Sequence, residues 1–165
     1  MRFLEGRKLM TQANSADALI EQLQMQPHPE GGWYAETWRA DSDGSGRARG
    51  TAIHFLLKAG EASHWHRVDA DEMWLWQGGD PLELGIAGGD EGPAHWLRLG
   101  SDVAGGEKLQ GLVPTGAWQA ARPVEGPAGY ALVSCVVVPG FEFAGFELAP
   151  PGWAPGQELD KEARA

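Results

Sequence analysis

Gly60-Glu-Ala-Ser63-His64-Trp65-His66-Arg67-Val-Asp-Ala-Asp71-Glu72 follows one apolar run and leads into another, and no other stretch of the 165-residue chain is as dense in polar, chemistry-bearing side chains. In extended backbone, residues i and i+2 share a face, so His64 and His66 are expected to point together into an interior with Trp65 turned away. A carboxylate five or six positions on, Asp71 or Glu72, can return beside them on the neighbouring strand. Two imidazoles and one carboxylate are a donor set for divalent iron, zinc, manganese or nickel, with positions left open for substrate. The competing reading makes one histidine a hydrogen-bonded structural group and puts the other at the mouth of a pocket.

Working outward, the flanking sequence reads as β. Short runs rich in Val, Leu, Ile and Trp are predicted as strands over 33–40, 51–57, 72–77, 82–87, 95–99, 111–113, 117–122, 130–138 and 141–148. They are separated by Asp43-Gly44, Gly78-Gly79-Asp80-Pro81, Gly88-Gly89-Asp90, Pro114-Thr-Gly116 and Glu125-Gly-Pro127, all able to turn a chain. Strands at this spacing imply a sandwich or barrel. One helix is expected between Ser15 and Met25, where Leu19, Ile20 and Leu23 recur at helical spacing after a capping Asn14-Ser15 and before Pro27 and Pro29. Residues 1–14 read as an extension, 15–149 as one domain, and 150–165, with Pro150, Pro151, Gly152, Pro155 and Gly156, as a loosely ordered tail.

Charge narrows the partners. With 13 Lys plus Arg against 23 Asp plus Glu, the net charge of -10 repels nucleic acid and anionic membrane alike. The basic group Arg39, Arg47 and Arg49 flanks the turn-like Asp41-Ser-Asp-Gly-Ser-Gly46 and reads as a solvated hairpin end. Cys135, the single cysteine, sits in Ala131-Leu-Val-Ser-Cys135-Val-Val-Val and reads as a packed thiol in a buried strand. No apolar run has the length of a signal peptide or a membrane span, and a cytoplasmic protein is expected.

A second segment carries its own signature: Gly111-Leu-Val-Pro114-Thr-Gly116-Ala-Trp118-Gln119. The two segments together resemble the two motifs of the cupin superfamily. The first motif, a glycine, His-x-His, then a glutamate and a glycine, is matched in order by His64, His66, Glu72 and Gly79. In the second, Pro114 and Gly116 match, while Gln119 stands where that motif has its histidine. With His28-Pro-Glu-Gly-Gly-Trp33, Asp71-Glu72-Met-Trp74 and Val138-Pro-Gly-Phe141, the pattern is similar to a small cupin family of unassigned activity, over about residues 15 to 150. The resemblance implies an all-β double-stranded β-helix, a jelly-roll barrel with one short N-terminal helix, and frequently a homodimer. It also invites comparison with sugar-nucleotide epimerases that share the barrel and work without metal.

Three functions fit. The first is a metal-independent isomerase or epimerase in which His64 or His66 removes a proton beside a carbonyl, oriented by Asp71 or Glu72, with Tyr34 as acid. The second is a metal cupin holding its ion with His64, His66, Glu72 or Asp71, and Gln119. The third is a non-catalytic barrel that binds a small molecule against Trp74, Trp76 and Trp118. Arg39 and Arg67 are candidate anion binders, Trp74 is the better pocket candidate because it shares a face with Glu72, and His28 and His95 are expected at the surface near turns. His54 lies outside the barrel if Ile53 and Phe55 fill it, and in the pocket otherwise.

Overall fold

The computed structural model describes residues 15–157, so the expected extension over 1–14 lies outside the described residues. The predicted helix is present as α1 (Ala16–Gln22), and its start is the predicted cap, the Ser15 hydroxyl oxygen accepting the Ala18 N–H at 3.2 Å. Eleven strands follow: β1 (Gln26–Pro27), β2 (Trp33–Arg39), β3 (Thr51–Lys58), β4 (Ser63–Val68), β5 (Asp71–Gly79), β6 (Leu82–Ala87), β7 (His95–Leu99), β8 (Gln110–Val113), β9 (Trp118–Pro123), β10 (Tyr130–Val138) and β11 (Phe146–Leu148). They form two antiparallel sheets in the orders β1-β2-β3-β10-β5-β8 and β11-β4-β9-β6-β7, the jelly-roll architecture.

Alternation assigns the faces. Across the larger sheet, Thr51, Val137, Glu72 and Val113 form one inward row, and Ile53, Cys135, Trp74 and Gly111 form the next. Ile53, Cys135, Trp74 and Val113 join Leu82, Leu84, Ile86 and Leu99 of the other sheet in the core between the two layers, while Thr51, Val137 and Glu72 line a cavity. Gly111 is required by this closeness, since a Cβ there would crowd Leu84 and Leu97 across the interior. On the outside, Leu19, Ile20 and Leu23 from the α1 region cover Leu56 and Tyr130. His54 is on the outer face, near the Ser134 hydroxyl at 3.4 Å, because Ile53 and Phe55 take the interior.

Besides β1 and β4, which were not among the predicted strands, two regions differ from expectation. The predicted strand over 141–148 is a 3-10 turn (Phe143–Gly145) followed by the short β11. Gly140 is tied to Ala48 by its N–H at 2.8 Å and receives the Arg47 guanidinium on its carbonyl at 2.7 Å, so the chain arches over one end of the barrel before rejoining a sheet. The expected loose tail is packed as far as Gln157. Trp153 is buried against Trp118 with ring centroids 4.7 Å apart, and the Gly156 N–H donates to the Asp90 carbonyl at 2.7 Å. The prolines and glycines of this segment shape a tight strap whose one large side chain fills the outer face of the smaller sheet. Removing that side chain leaves a cavity, so Trp153→Ala is expected to lower the unfolding free energy by about 3–5 kcal/mol in urea denaturation. An unchanged midpoint would show that the strap contributes nothing to the fold.

Candidate functional site in the barrel

The open end of the barrel leads into a cavity of about 290 Å³. Phe55, Tyr34, Phe141 and Phe143 supply aromatic walls, Glu36, Arg39 and Glu142 the rim, and His28, Glu30, His66, Glu72 and Cys135 the floor. The floor groups are buried and the rim groups exposed.

Glu30 reaches the floor through its local backbone. It sits in a turn closed by the Gly31 N–H donating to the His28 carbonyl at 3.0 Å and the His28 N–H donating to the Gly32 carbonyl at 2.9 Å. Gly31 and Gly32 both have positive φ, 108° and 73°. A Cβ on Gly31 would overlap the Ala62 carbonyl, and one on Gly32 would lie 2.6 Å from the Leu57 side chain. With both glycines in place, the Glu30 carbonyl accepts the His64 N–H at 2.8 Å and the turn locks onto β4.

On β4 the expected alternation breaks. Ser63 pairs with Ala121 and His66 with Gln119, so three steps on β4 oppose two on β9: a β-bulge. The extra residue puts Ser63 and His66 on the inner side and turns His64 outward, where its Nε2–H donates to the Pro150 carbonyl at 2.9 Å. The two imidazoles therefore do not share a face, a correction to the His-x-His reading.

Hydrogen bonds and burial together assign the protons. His66 Nδ1 lies 2.8 Å from the His64 carbonyl, which can only accept, so Nδ1 carries a proton. Glu30 Oε2 lies 3.1 Å from that Nε2, and the Ser63 hydroxyl donates to Glu30 Oε1 at 2.9 Å. One proton lies between Glu30 and His66 Nε2, and burial assigns it to Glu30: burial pushes the Glu30 carboxyl up to about 8, outweighing the Ser63 hydrogen bond, and holds His66 below the usual histidine range. Burial also pulls His28 down to about 4, and its Nδ1 accepts the Glu30 N–H at 3.2 Å. Glu72 is raised to about 7, again by burial, with His66, the Gln119 amide and the Cys135 thiol opposing and Glu30 adding to the rise. Gln119 donates to Glu72 Oε2 at 2.7 Å and accepts the Trp74 indole N–H at 2.7 Å. Among the described residues no buried side-chain polar atom lacks a partner.

The other sequence candidates distribute as follows. Tyr34 is on the wall and Arg39 on the rim. Glu72, not Asp71, faces inward; Asp71 is exposed and accepts the Thr115 N–H and hydroxyl, both at 2.8 Å. Trp74 and Gln119 lie behind the cavity wall, where they hold Glu72. Arg67 and Trp118 are on the outside of the smaller sheet: the Arg67 guanidinium lies over the Trp118 ring at 4.5 Å and pairs with Glu147 at 2.7 Å, so neither faces a barrel ligand. Trp76 donates to the Asp80 carbonyl at 3.1 Å and packs on the core. His28, expected at the surface, is buried among Tyr34, Phe55 and Phe141. Sequence reasoning missed Glu30. Its one signal was a glutamate between His28 and a Gly-Gly pair.

The donors do not fit a cupin metal centre. His64 is outside, His66 Nε2 is engaged by Glu30, and the Gln119 oxygen is taken by Trp74. Among the described residues no three His, Cys, Asp or Glu side chains gather as a metal-binding group.

Comparison with known proteins agrees with the architecture. The family model described as Cupin superfamily (DUF985) matches residues 17–149. A protein from Shewanella oneidensis is 39% identical with a TM-score of 0.76, covering 81% of this chain and 84% of that one. A hypothetical protein from Leishmania major is 37% identical with a TM-score of 0.72, covering 81% and 86%. Oxalate decarboxylase from Bacillus subtilis, at 15% identity and a TM-score of 0.56 over 74% of this chain and 29% of that one, shares the fold alone. No curated protein matches the chain.

Two predictions follow from the floor. Metal analysis of protein purified without affinity resin is expected to find far less than one iron, zinc, manganese or nickel per chain, with melting unmoved by chelator; stoichiometric metal lost in His66→Ala would overturn the donor assignment. The second concerns pH. Glu30 and Glu72 hold protons in the folded state that the unfolded chain releases near 4.5, so their contribution is full below that pH and is lost as pH rises toward 7 and 8. His28 and His66 act oppositely, losing stability as pH falls below 6.5. The two effects offset between 4.5 and 6.5. Above 6.5 stability should fall, by up to about 1.4 kcal/mol per pH unit for each carboxyl. Glu30→Gln and Glu72→Gln should each flatten that limb in urea melts, and an unaltered slope in both would refute the buried-proton assignment.

Proposed function

The chain belongs to the Cupin superfamily family DUF985, and from that premise we propose that its barrel is a small-molecule site whose floor moves protons without a metal, the chemistry of an isomerase or epimerase. The observation that carries this reading is a carboxyl poised near neutrality on the floor of an aromatic-walled cavity, beside a second carboxyl that keeps its proton. A general base works best when its pKa lies near the working pH.

Glu72 is the proton carrier. As the carboxylate it takes a proton from the carbon beside a ligand carbonyl; the C–H electron pair becomes the C=C bond of an enolate and the carbonyl pair moves onto oxygen. Where that carbon bears a hydroxyl group, Glu72 then returns the proton to the former carbonyl carbon, the hydroxyl proton passes to the enolate oxygen and the C=C pair is replaced by a new C=O on the first carbon, which gives the isomer and consumes no co-reactant. Tyr34 suits the enolate oxygen, because its own oxygen accepts from Gln26 Nε2 at 3.2 Å and its O–H remains to donate. Gln119, held by Trp74, orients the carboxylate. Glu30, raised further to about 8, holds its proton longer than Glu72, so Glu72 is the first floor carboxyl to ionise as pH rises through about 7.

The test is solvent-deuterium incorporation, read by proton NMR, into a panel of ketoses, aldoses and aminoketones. Exchange is expected with the wild-type protein, rising with pH through about 7. It should fall by about 10²-fold or more in Glu72→Gln, fall less in Tyr34→Phe, and persist in His64→Ala. Loss in His64→Ala with retention in Glu72→Gln would sink this assignment. Ligand binding without exchange in any compound would leave a binding barrel in its place.

A further inference from the structure

The charges around the cavity are lopsided. Four carboxyl groups line it, Glu30 and Glu72 on the floor and Glu36 and Glu142 at the rim, against one cationic side chain, Arg39. Arg39 is already committed. Its Nε donates to Glu36 Oε1 at 2.9 Å, its Nη2 to Glu36 Oε2 at 2.8 Å, and the same Nη2 reaches the Phe141 carbonyl at 3.3 Å. Burial disfavours the charged form of both floor histidines, and His28 Nδ1 presents its lone pair to the Glu30 N–H. No free cation among the described lining residues is left to receive a phosphate or a carboxylate, and the molecule around the cavity has a net charge of -10.

The rim that carries Glu142 also carries aromatic faces. Phe141 and Phe143 stand edge to face with centroids 5.0 Å apart, and Phe143 is half exposed at the opening. Glu36 is paired with Arg39 and Glu30 keeps its proton, so the rim carboxylate beside these rings that makes no ion pair among the described residues is Glu142, and an aromatic face next to it attracts organic cations through the ring quadrupole and through charge. Neither feature serves an anion. The cavity, at about 290 Å³, is at the small end of the range for ligand pockets.

We propose that the barrel pocket takes a small organic cation, an ammonium or amidinium compound, with its charged group at the Glu142–Phe143 rim and the rest of the molecule directed toward Glu72. The inference rests on the reading of the barrel as the ligand site and narrows its substrate to the amine-bearing members of the carbonyl class. It excludes sugar nucleotides, whose pyrophosphate would meet Glu36 and Glu142.

The experiment compares three probes of one shape by calorimetry and NMR titration on the full chain: choline, the uncharged 3,3-dimethylbutan-1-ol and the anionic 3,3-dimethylbutanoate. Choline is expected to bind at least about tenfold more tightly than the alcohol, with no binding of the carboxylate. Glu142→Gln, at an exposed position, should weaken choline severalfold and leave the alcohol nearly unchanged, and Phe143→Ala should weaken choline by a larger factor than the alcohol. Glu36→Gln, which frees Arg39, should weaken choline and admit the carboxylate. Equal affinity for choline and the alcohol overturns the charge assignment while leaving the barrel as the site. Choline binding that ignores all three variants overturns the location, and carboxylate binding by the wild-type protein overturns the proposal outright. Failure of the deuterium exchange alone touches only the proton-transfer reading.

Discussion

Burying a carboxyl group costs several kcal/mol unless it keeps its proton or its oxygens find donors, and this barrel buries two side by side. Much of the local structure is what that constraint demands. Glu30 is acceptable because Ser63 donates to one oxygen and His66 Nε2 accepts from the other; His66 can accept because its Nδ1–H is spent on the His64 carbonyl. Ser63 and His66 can both face inward only because β4 carries an extra residue. Glu72 in turn needs the Gln119 amide, and Gln119 is held in orientation by the Trp74 indole. A change at any member leaves a buried partner unsatisfied, which is why the network acts as one unit.

The barrel was legible in the sequence because its signals are local: turn residues between short apolar runs, a capped helix, and two motifs in register with a known family. Glu72 and Tyr34 were legible too, since each sits on a stretch of strand where alternation holds, whereas Arg39 joins Tyr34 and Glu36 at the cavity past an irregularity in β2 between Glu36 and Trp38. His64 was misplaced because alternation was assumed across Ser63 to His66, and a bulge is a property of the pairing with β9 rather than of β4 alone. Trp118 was misplaced for a related reason: it immediately precedes Gln119, and once Gln119 faces in, Trp118 must face out onto Trp153.

Glu30 and His28 were invisible for a different reason. They lie in a turn, where side-chain direction depends on the φ values of the following glycines and not on a period. The same holds for the strap over 150–157. Its proline and glycine content reads as loose chain, but Trp153 has a site waiting on the outer face, and burial of one large ring orders the segment.

The two positions where a metal cupin would place imidazoles explain the chemistry best. At 64 the bulge removes the side chain from the interior; at 119 a glutamine stands, with its amide used at both ends. A resident cation would have neutralised buried carboxylates and kept them ionised. Here hydrogen bonds and retained protons do that work, so the floor carries exchangeable protons where the ion would have carried charge. Glu72 consequently sits near neutrality instead of far below it. A site arranged in this way is suited to taking a proton from a ligand and giving it back. With Glu142 at the rim making no ion pair among the described residues as well, the site as a whole carries more acid than base, which suits a ligand that brings its own positive charge.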